Sequence, residues 1–497
     1  MKTKVVIGID IGLTGMKAIA FDLKGNITAS QSATSPHDMP KPHWSEREGE
    51  DFWAAVCKML RHLMGKLENY EIIGVGCSAH GDGIWILDEN NRPLRPGILS
   101  LDTRAFETSL KYSKKLEELL LTTGQGASPS SPATLLAWLK ENEPETLAKA
   151  KSFMWAKDFI RYRLSRTVGT DLTEASTSFF NYKKQEWDPK AFELYDLSEL
   201  EKIAPIVNNP TDIVGSIGYD THIHTGLPEG IPVVAGLHDV DAGAIGAGAT
   251  HPGQLAVMAG TYSINEVISA QPKVSKDWFC RSFIRKGLWM NMAISPASSS
   301  NLEWFVQTLC QQELDIAKRA GIDPYGFVDK EISEVADDPS DIVFFPFLYG
   351  NPLDVDADSC FMGMRAWHNR GHLLKAIYEG IAFNHKYHID PLIENFQVDE
   401  IRVVGGVTRS SIWPKMLASV LDRQILIPEV SEGGALGTAM IVAVGIGQFK
   451  DLDEAAKTMG SKSIAIDPDP KIKEMIIPAY EKYKEYMKQI YPLWKNK

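Results

Sequence analysis

Residues 236–248 read Gly236-Leu-His-Asp-Val-Asp-Ala-Gly-Ala-Ile-Gly-Ala-Gly248, and the reading of this stretch decides the fold. The apolar run Ile231-Pro-Val-Val-Ala235 before it predicts a buried strand, and after Asp239 almost every side chain is small. Six glycines and alanines lie between Ala242 and Gly248. Each interior glycine costs a helix roughly 1 kcal/mol relative to alanine, so a packing or functional reason must offset them. A helix of this kind lets another backbone come very close. An acid where a strand gives way to such a helix stands at the mouth of a cleft, near amide N–H groups that favour its ionised form. Asp239 is therefore the candidate general base. Its competitor, Asp241, lies two positions further along the helix and points away from it.

The 497 residues suffice for at least two domains with cores of their own. A hydrophobic content of 44% and a charged content of 23% are ordinary for a globular protein. The net charge of -12 argues against nucleic acid or an anionic membrane as the main partner, because both need a clustered basic surface. The five cysteines, Cys57, Cys77, Cys280, Cys310 and Cys360, are scattered and lack CxxC spacing, which fits a reducing cytoplasm better than a disulfide framework or zinc site. No apolar run reaches the roughly 18 residues of a membrane span. The opening Met-Lys-Thr-Lys-Val-Val-Ile reads as a strand, since Asp10 interrupts the apolar stretch that a signal peptide would need.

Val5 to Ile11, then Gly12-Leu-Thr14-Gly15, then Met16-Lys17 to Asp22 predict a strand, a Gly/Thr turn and a returning strand, and Lys24-Gly25-Asn26 turns the chain into a third strand ending at Ser32. Gln254 to Ala259, Gly260-Thr261 and Ser263 to Ile268 repeat the pattern about half a chain later. Two structurally related halves are expected, 1–249 and 250–497. Glu50 to Leu67 has helical apolar spacing, and Ile72 to Cys77 is the next buried strand. At its end stand His80, Asp82 and Trp85, where α/β sheets place ligand groups. A carboxylate, an imidazole and an indole together suit a polyhydroxylated ligand, and Leu101-Asp102-Thr-Arg104 is expected to complete the wall. Asp171 to Ser176 reads as a loop beside the same cleft. Farther on, Ile401 to Val404 ends in the pair Gly405-Gly406, which permits close backbone approach to a phosphate. Glu432-Gly-Gly-Ala-Leu-Gly437 starts another small-residue helix, with tight helix packing and nucleotide contact equally open.

In this order, Gly8-Ile-Asp10-Ile-Gly-Leu-Thr14-Gly-Met-Lys17, Leu101-Asp102-Thr-Arg104, Gly236-Leu-His-Asp239, Gly260-Thr261, Glu379-Gly-Ile-Ala, Gly405-Gly406 and Ala435-Leu-Gly437-Thr-Ala resemble the FGGY carbohydrate kinases essentially end to end. Pro132 to Asn142 is similar to one signature of that family, with Leu135 where the signature has lysine. The resemblance implies an α/β fold of two actin/hexokinase-like (ribonuclease H-like) domains with a cleft between them, the first sugar-binding and the second nucleotide-binding. It implies ATP and Mg²⁺, and a base, Asp239, that accepts the proton of the sugar hydroxyl. His80, Asp82, Trp85, Asp102, His238 and Asp239 would hold the substrate. Asp10, through water, would hold the metal. Asp10, Gly12, Thr14, Lys17, Gly260, Thr261, Ser299, Glu303, Gly405 and Gly406 would face the nucleotide. Pro296 to Trp304, Phe347-Leu-Tyr-Gly350 and Ile98 to Asp102 look most like L-xylulose kinases, which implies a ketopentose such as L- or D-xylulose. Gly81-Asp82-Gly-Ile-Trp85 looks like erythritol kinases instead, which keeps a polyol open. A non-catalytic sensor of the same fold is the rival class. The expected partners are a small sugar and ATP, with a homodimer left open.

Overall fold

A computed structural model describes residues 2–351, 353 and 356–495. The chain packs as two compact units. Met1–Pro252, Ile268–Asn291 and Val430–Ser461 form the first, and Gly253–Val267, Met292–Glu429 and Lys462–Lys497 form the second. The chain leaves the first unit close to residue 250 and returns to it twice, so the packing units are not the contiguous halves 1–249 and 250–497.

The first unit is built on a mixed sheet. Strands β1 (Thr3–Ile11), β2 (Gly15–Asp22) and β3 (Ile27–Thr34) form an antiparallel meander. Helix α1 (Gly49–Met64) turns Phe52, Val56, Met59, Leu60 and Leu63 inward, the stripe that its 3.6-residue period requires. The chain then runs parallel to β1 as β4 (Tyr70–Ala79). Later come β5 (Ile213–Ser216), β6 (Pro232–Val234) and β7 (Leu237–His238), and both β6 and β7 pair in parallel with β4. The path across the sheet is β5-β6-β4-β1-β2-β3. The inner halves of β1 and β4 are buried on both faces, which explains their near-continuous apolar sequence. Helix α2 (Asp239–Gly246) follows β7 directly.

The second unit repeats the local pattern. Strands β8 (Gln254–Ala259) and β9 (Ser263–Ser269) are an antiparallel hairpin, and β10 (Glu400–Val404) lies parallel to β8. Strand β11 (Ile425–Pro428) continues the sheet in parallel, and β12 (Ser463–Ile466) closes it antiparallel. The 26-residue helix Arg370–Asn395 buries residues along most of its length. Among the described residues no helix is long and apolar enough to cross a membrane. All five cysteines are free.

Helix α3 (Gly433–Gly445), formed after the second return to the first unit, explains the small residues of α2. A Cβ on Gly437 would lie 1.9 Å from the Ala242 carbonyl oxygen, and one on Gly246 would lie 2.0 Å from that of Gly433. The same helix crosses β1, where a Cβ on Gly8 would lie 2.1 Å from the Ala435 oxygen. Backbone meets backbone at all three places, so no side chain can give way. Gly437→Ala is expected to force the helices apart and lower stability by about 1–3 kcal/mol, read as a lower urea midpoint. Gly218→Ala, where an added Cβ meets nothing within 4 Å, is expected to stay within about 0.5 kcal/mol of the parent.

Candidate active site

Asp239 is the first residue of α2, with His238 as its cap. The His238 backbone N–H donates to Thr173 Oγ1 at 2.9 Å, and its Nε2 lies 3.4 Å from Asp239 Oδ1. The Asp239 side chain keeps 31% of its surface exposed, and solvent at that edge screens part of the cost of its charge. Burial and then the negative charge of Asp10 still push its pKa up to about 8, against backbone hydrogen bonds at the helix start. Asp241 differs. It is buried, its Oδ2 lies 3.8 Å from His238 Nδ1, and burial drives its pKa well above the usual range. His238 is held neutral by burial and by the charge of Arg281.

Asp10 ends β1 beside the start of α3. Its Oδ1 accepts a hydrogen bond from Ser78 Oγ at 3.1 Å, and a Cβ on Gly434 would lie 2.5 Å from its Oδ2. Burial raises its pKa, while Ser78 and Lys17 oppose the shift. Lys17 faces Asp10 across the β1–β2 hairpin and is half-exposed, and its Nζ donates to Glu432 at 2.7 Å. Gly12 donates to the Gly15 oxygen to close the hairpin turn, leaving Thr14 exposed at its tip. Among the described residues no group of three or more His, Cys, Asp or Glu is arranged to hold a metal. Asp10 is a single carboxylate, which suits a cation that keeps its waters and takes other ligands from a phosphate.

The loop after β4 brings His80 and Asp82 to Asp239. His80 is buried between Arg47, 3.3 Å away, and Ser100, 3.5 Å away. Burial and the Arg47 charge lower its pKa to about 3, so it is neutral. A Cβ on Gly81 would strike the His238 ring at 2.1 Å, which clamps the loop onto the residue before Asp239. Asp82 has φ +54° and lies close enough to Asp239 for its charge to raise the Asp239 pKa. Arg281, on the strand Phe279–Ser282, places Nη2 4.0 Å from Asp82 Oδ1.

Two expected substrate residues are structural. Trp85 is completely buried, stacked with Phe159 at 6.0 Å and next to Phe52 at 6.2 Å, and a Cβ on Gly97 would meet its ring at 2.0 Å. No face of the indole is left for a sugar. Asp102 is also fully buried. It accepts from Ser45 N–H and from the Arg104 backbone and guanidinium at 2.6–2.9 Å, so its oxygens serve an internal ion pair. The segment 171–176 is likewise not a surface loop: Asp171 caps a buried single turn, Leu172–Ala175.

In the second unit the turn after β8 is braced from a neighbouring helix. Ser299 donates from its backbone N–H and its hydroxyl to the Gly260 oxygen, and Ser300 Oγ donates to the Thr261 oxygen at 3.1 Å. Glu303 is exposed on that helix and accepts from Gln307 at 3.0 Å. Gly405 has φ +123°, and a Cβ there would lie 2.2 Å from the Ala259 oxygen. Glycine thus lets the ends of β8 and β10 meet, with open space at Gly406.

Sequence reading passed over a buried charge network under the Asp239 region. Lys157 Nζ lies 2.5 Å from Asp158 and 3.0 Å from Asp171, and it donates to the Ala235 oxygen at 3.2 Å. Glu174 is fully buried beside it, and burial raises its pKa well above the usual range. Lys157, Asp158 and Arg161 are spaced along a helix as surface charges commonly are, so no local signal reveals their burial.

Comparison with known proteins agrees with this architecture. The model of the FGGY family of carbohydrate kinases, N-terminal domain, matches residues 5–246, and that of the C-terminal domain matches residues 255–446. The chain is 31% identical over 489 residues to an L-xylulose/3-keto-L-gulonate kinase of Escherichia coli (strain K12), covering 97% of this chain and 96% of that one. It is 30% identical to a probable L-xylulose kinase of Pasteurella multocida (strain Pm70), covering 96% and 97%. The crystal structure of xylulose kinase from Rhodospirillum rubrum shares the fold at a TM-score of 0.90 and 24% identity, with 99% of each chain covered. The fold is thus that of the actin/hexokinase-like sugar kinases, and the chain belongs to the FGGY family of carbohydrate kinases.

Proposed function

We propose that this carbohydrate kinase transfers the γ-phosphoryl group of ATP to a hydroxyl of a ketopentose such as L-xylulose or D-xylulose, with Asp239 as general base. The observation that carries the reading is a carboxylate at a helix start, partly open to solvent, with a pKa near 8. General bases work best when their pKa lies near the working pH, and phosphoryl transfer asks chiefly for positioning and charge stabilisation. The names of the two relatives described above both give L-xylulose, which supports the ketopentose, and the first also gives 3-keto-L-gulonate. The likeness of Gly81-Asp82-Gly-Ile to erythritol kinases favours a polyol as the second reading.

In this reading Asp239 accepts the acceptor's hydroxyl proton, and His238 and His80, both neutral, offer hydrogen bonds without adding charge. Asp82 is a further acceptor contact. The nucleotide contacts proposed are Gly12, Thr14, Lys17, Gly260, Thr261, Gly405 and Gly406. Ser299 acts by fixing the Gly260 turn, and Glu303 lies on the helix that Ser299 begins. Asp10 would hold Mg²⁺ through water, and the ion when bound would offset phosphate charge.

Asp239→Asn is expected to lower kcat by about 10²-fold or more, the scale of a lost positioned base, while calorimetry still registers ATP binding. A rate close to the parent's would refute the role. ADP release over L-xylulose, D-xylulose, L-ribulose, D-ribulose, erythritol and glycerol identifies the acceptor.

The pH dependence follows from the direction of the shift. The base acts when deprotonated, so kcat/KM is expected to rise toward an apparent pKa near 8, and Asp10→Asn should move that limb to lower pH by removing a negative neighbour. Stability runs the other way. An acid whose folded pKa is raised favours the folded state fully below its unfolded value, and that contribution is lost as pH rises through the folded value. Asp239→Asn should therefore gain in melting temperature relative to the parent between about pH 4 and pH 8, measured by scanning calorimetry.

A further inference from the structure

Arg281 and Asp82 face one another beside Asp239, and neither can withdraw. Asp82 sits in the left-handed region between two glycines. Gly81 is pressed on the His238 ring, and the Gly83 N–H donates to the Ser130 oxygen at 2.8 Å. Arg281 is anchored through Nε, which donates to Gln125 Oε1 at 3.0 Å. Gln125 in turn donates to the Ser176 oxygen at 2.8 Å, and the neighbouring Cys280 N–H donates to the Gly124 oxygen at 3.0 Å.

Between these fixed groups the separation is 4.0 Å, outside hydrogen-bonding distance, and Asp82 Oδ1 has no hydrogen-bond partner among the described residues. A donor and an acceptor are thus held just too far apart to satisfy each other. A hydroxyl satisfies both, since it accepts from the guanidinium and donates to the carboxylate. An ionised carboxylate can only accept, so it would set its oxygens against Asp82 with no proton between them. Asp239 beside the pair adds a second negative charge once it is deprotonated, and like charges brought together in a shielded site repel strongly.

We propose that Asp82 and Arg281 are the specificity-determining pair of the acceptor site, bridged by a hydroxyl of an uncharged ketose or alditol, and that they exclude sugar acids of similar length. The proposal rests on the reading that the acceptor binds beside Asp239. It does not depend on Asp239 being the base.

The test compares L-xylulose, D-xylulose and erythritol with D-gluconate and 3-keto-L-gulonate. ADP release is measured on the parent, and binding by calorimetry on both the parent and Asp239→Asn. The best neutral compound is expected to exceed the best acid by at least about 100-fold in kcat/KM, and to bind more tightly in both proteins. Asp82→Asn should narrow that ratio at least about tenfold by lowering KM for the acids, and Arg281→Gln should weaken the neutral acceptor. Equal or better use of an acid by the parent overturns the pair's role, as does an unchanged ratio in Asp82→Asn. If that variant fails to fold, the parent's ratio alone decides. If the parent turns over none of the compounds, the kinase reading with these acceptors fails, and calorimetry decides the selectivity: neutral binding supports the pair and acid binding overturns it.

Discussion

Everything in the first unit depends on bare backbone meeting bare backbone where α2 and α3 cross. Gly246 against the Gly433 oxygen and Gly437 against the Ala242 oxygen leave no room for a Cβ, and Gly8 extends the constraint to β1. One consequence is positional. With α3 pressed on β1, its first turn is fixed against Asp10. With α2 pressed on α3, its first turn, and so Asp239, is fixed as well. Two carboxylates on separate elements are thereby held close enough for the charge of Asp10 to raise the Asp239 pKa. A helix that met its neighbours through long side chains could shift along them, and the electrostatic relation between the two acids would shift with it.

The sequence made legible whatever has a local cause. Hairpin turns rich in Gly and Thr, the strands around them, the glycine pair after β10 and the small-residue run of α2 all stand where the spacing predicts, because each is fixed by neighbours in the chain. Asp82 was legible as a polar group at a strand end, and His238 only through the family resemblance. Trp85 and Asp102 were misread because an indole or a carboxylate beside a site looks the same in sequence as one buried behind it. Only the stack on Phe159 and the Arg104 pair tell them apart. Arg281 was invisible for the opposite reason. It is a single arginine in a short strand, and its importance arises from Gln125 and Asp82, each more than 150 positions away in the chain. Long-range partnership also explains why 268–291 and 430–461 could not be assigned to the first unit.

Asp239 shows how competing effects settle a functional property. The start of a helix favours a negative charge by roughly 0.3–1 kcal/mol, less than the 1.36 kcal/mol that moves a pKa by one unit. Hydrogen bonds from Val240 and from its own backbone act in the same direction. Burial and the charge of Asp10 act in the other, and they win by enough to carry the group from 3.8 to about 8. The helix start therefore does not make this carboxylate a weak base. It supplies position and geometry, while the surrounding protein and the second acid supply basicity. Asp241 shares the first turn of the same helix but lies almost wholly out of solvent, and burial first, then the charges of Asp171 and Asp239, drive its pKa well above the usual range. What sets the proposed base apart from the acid two residues away is its open edge: 31% of the Asp239 side chain meets solvent, which screens part of the cost of its charge.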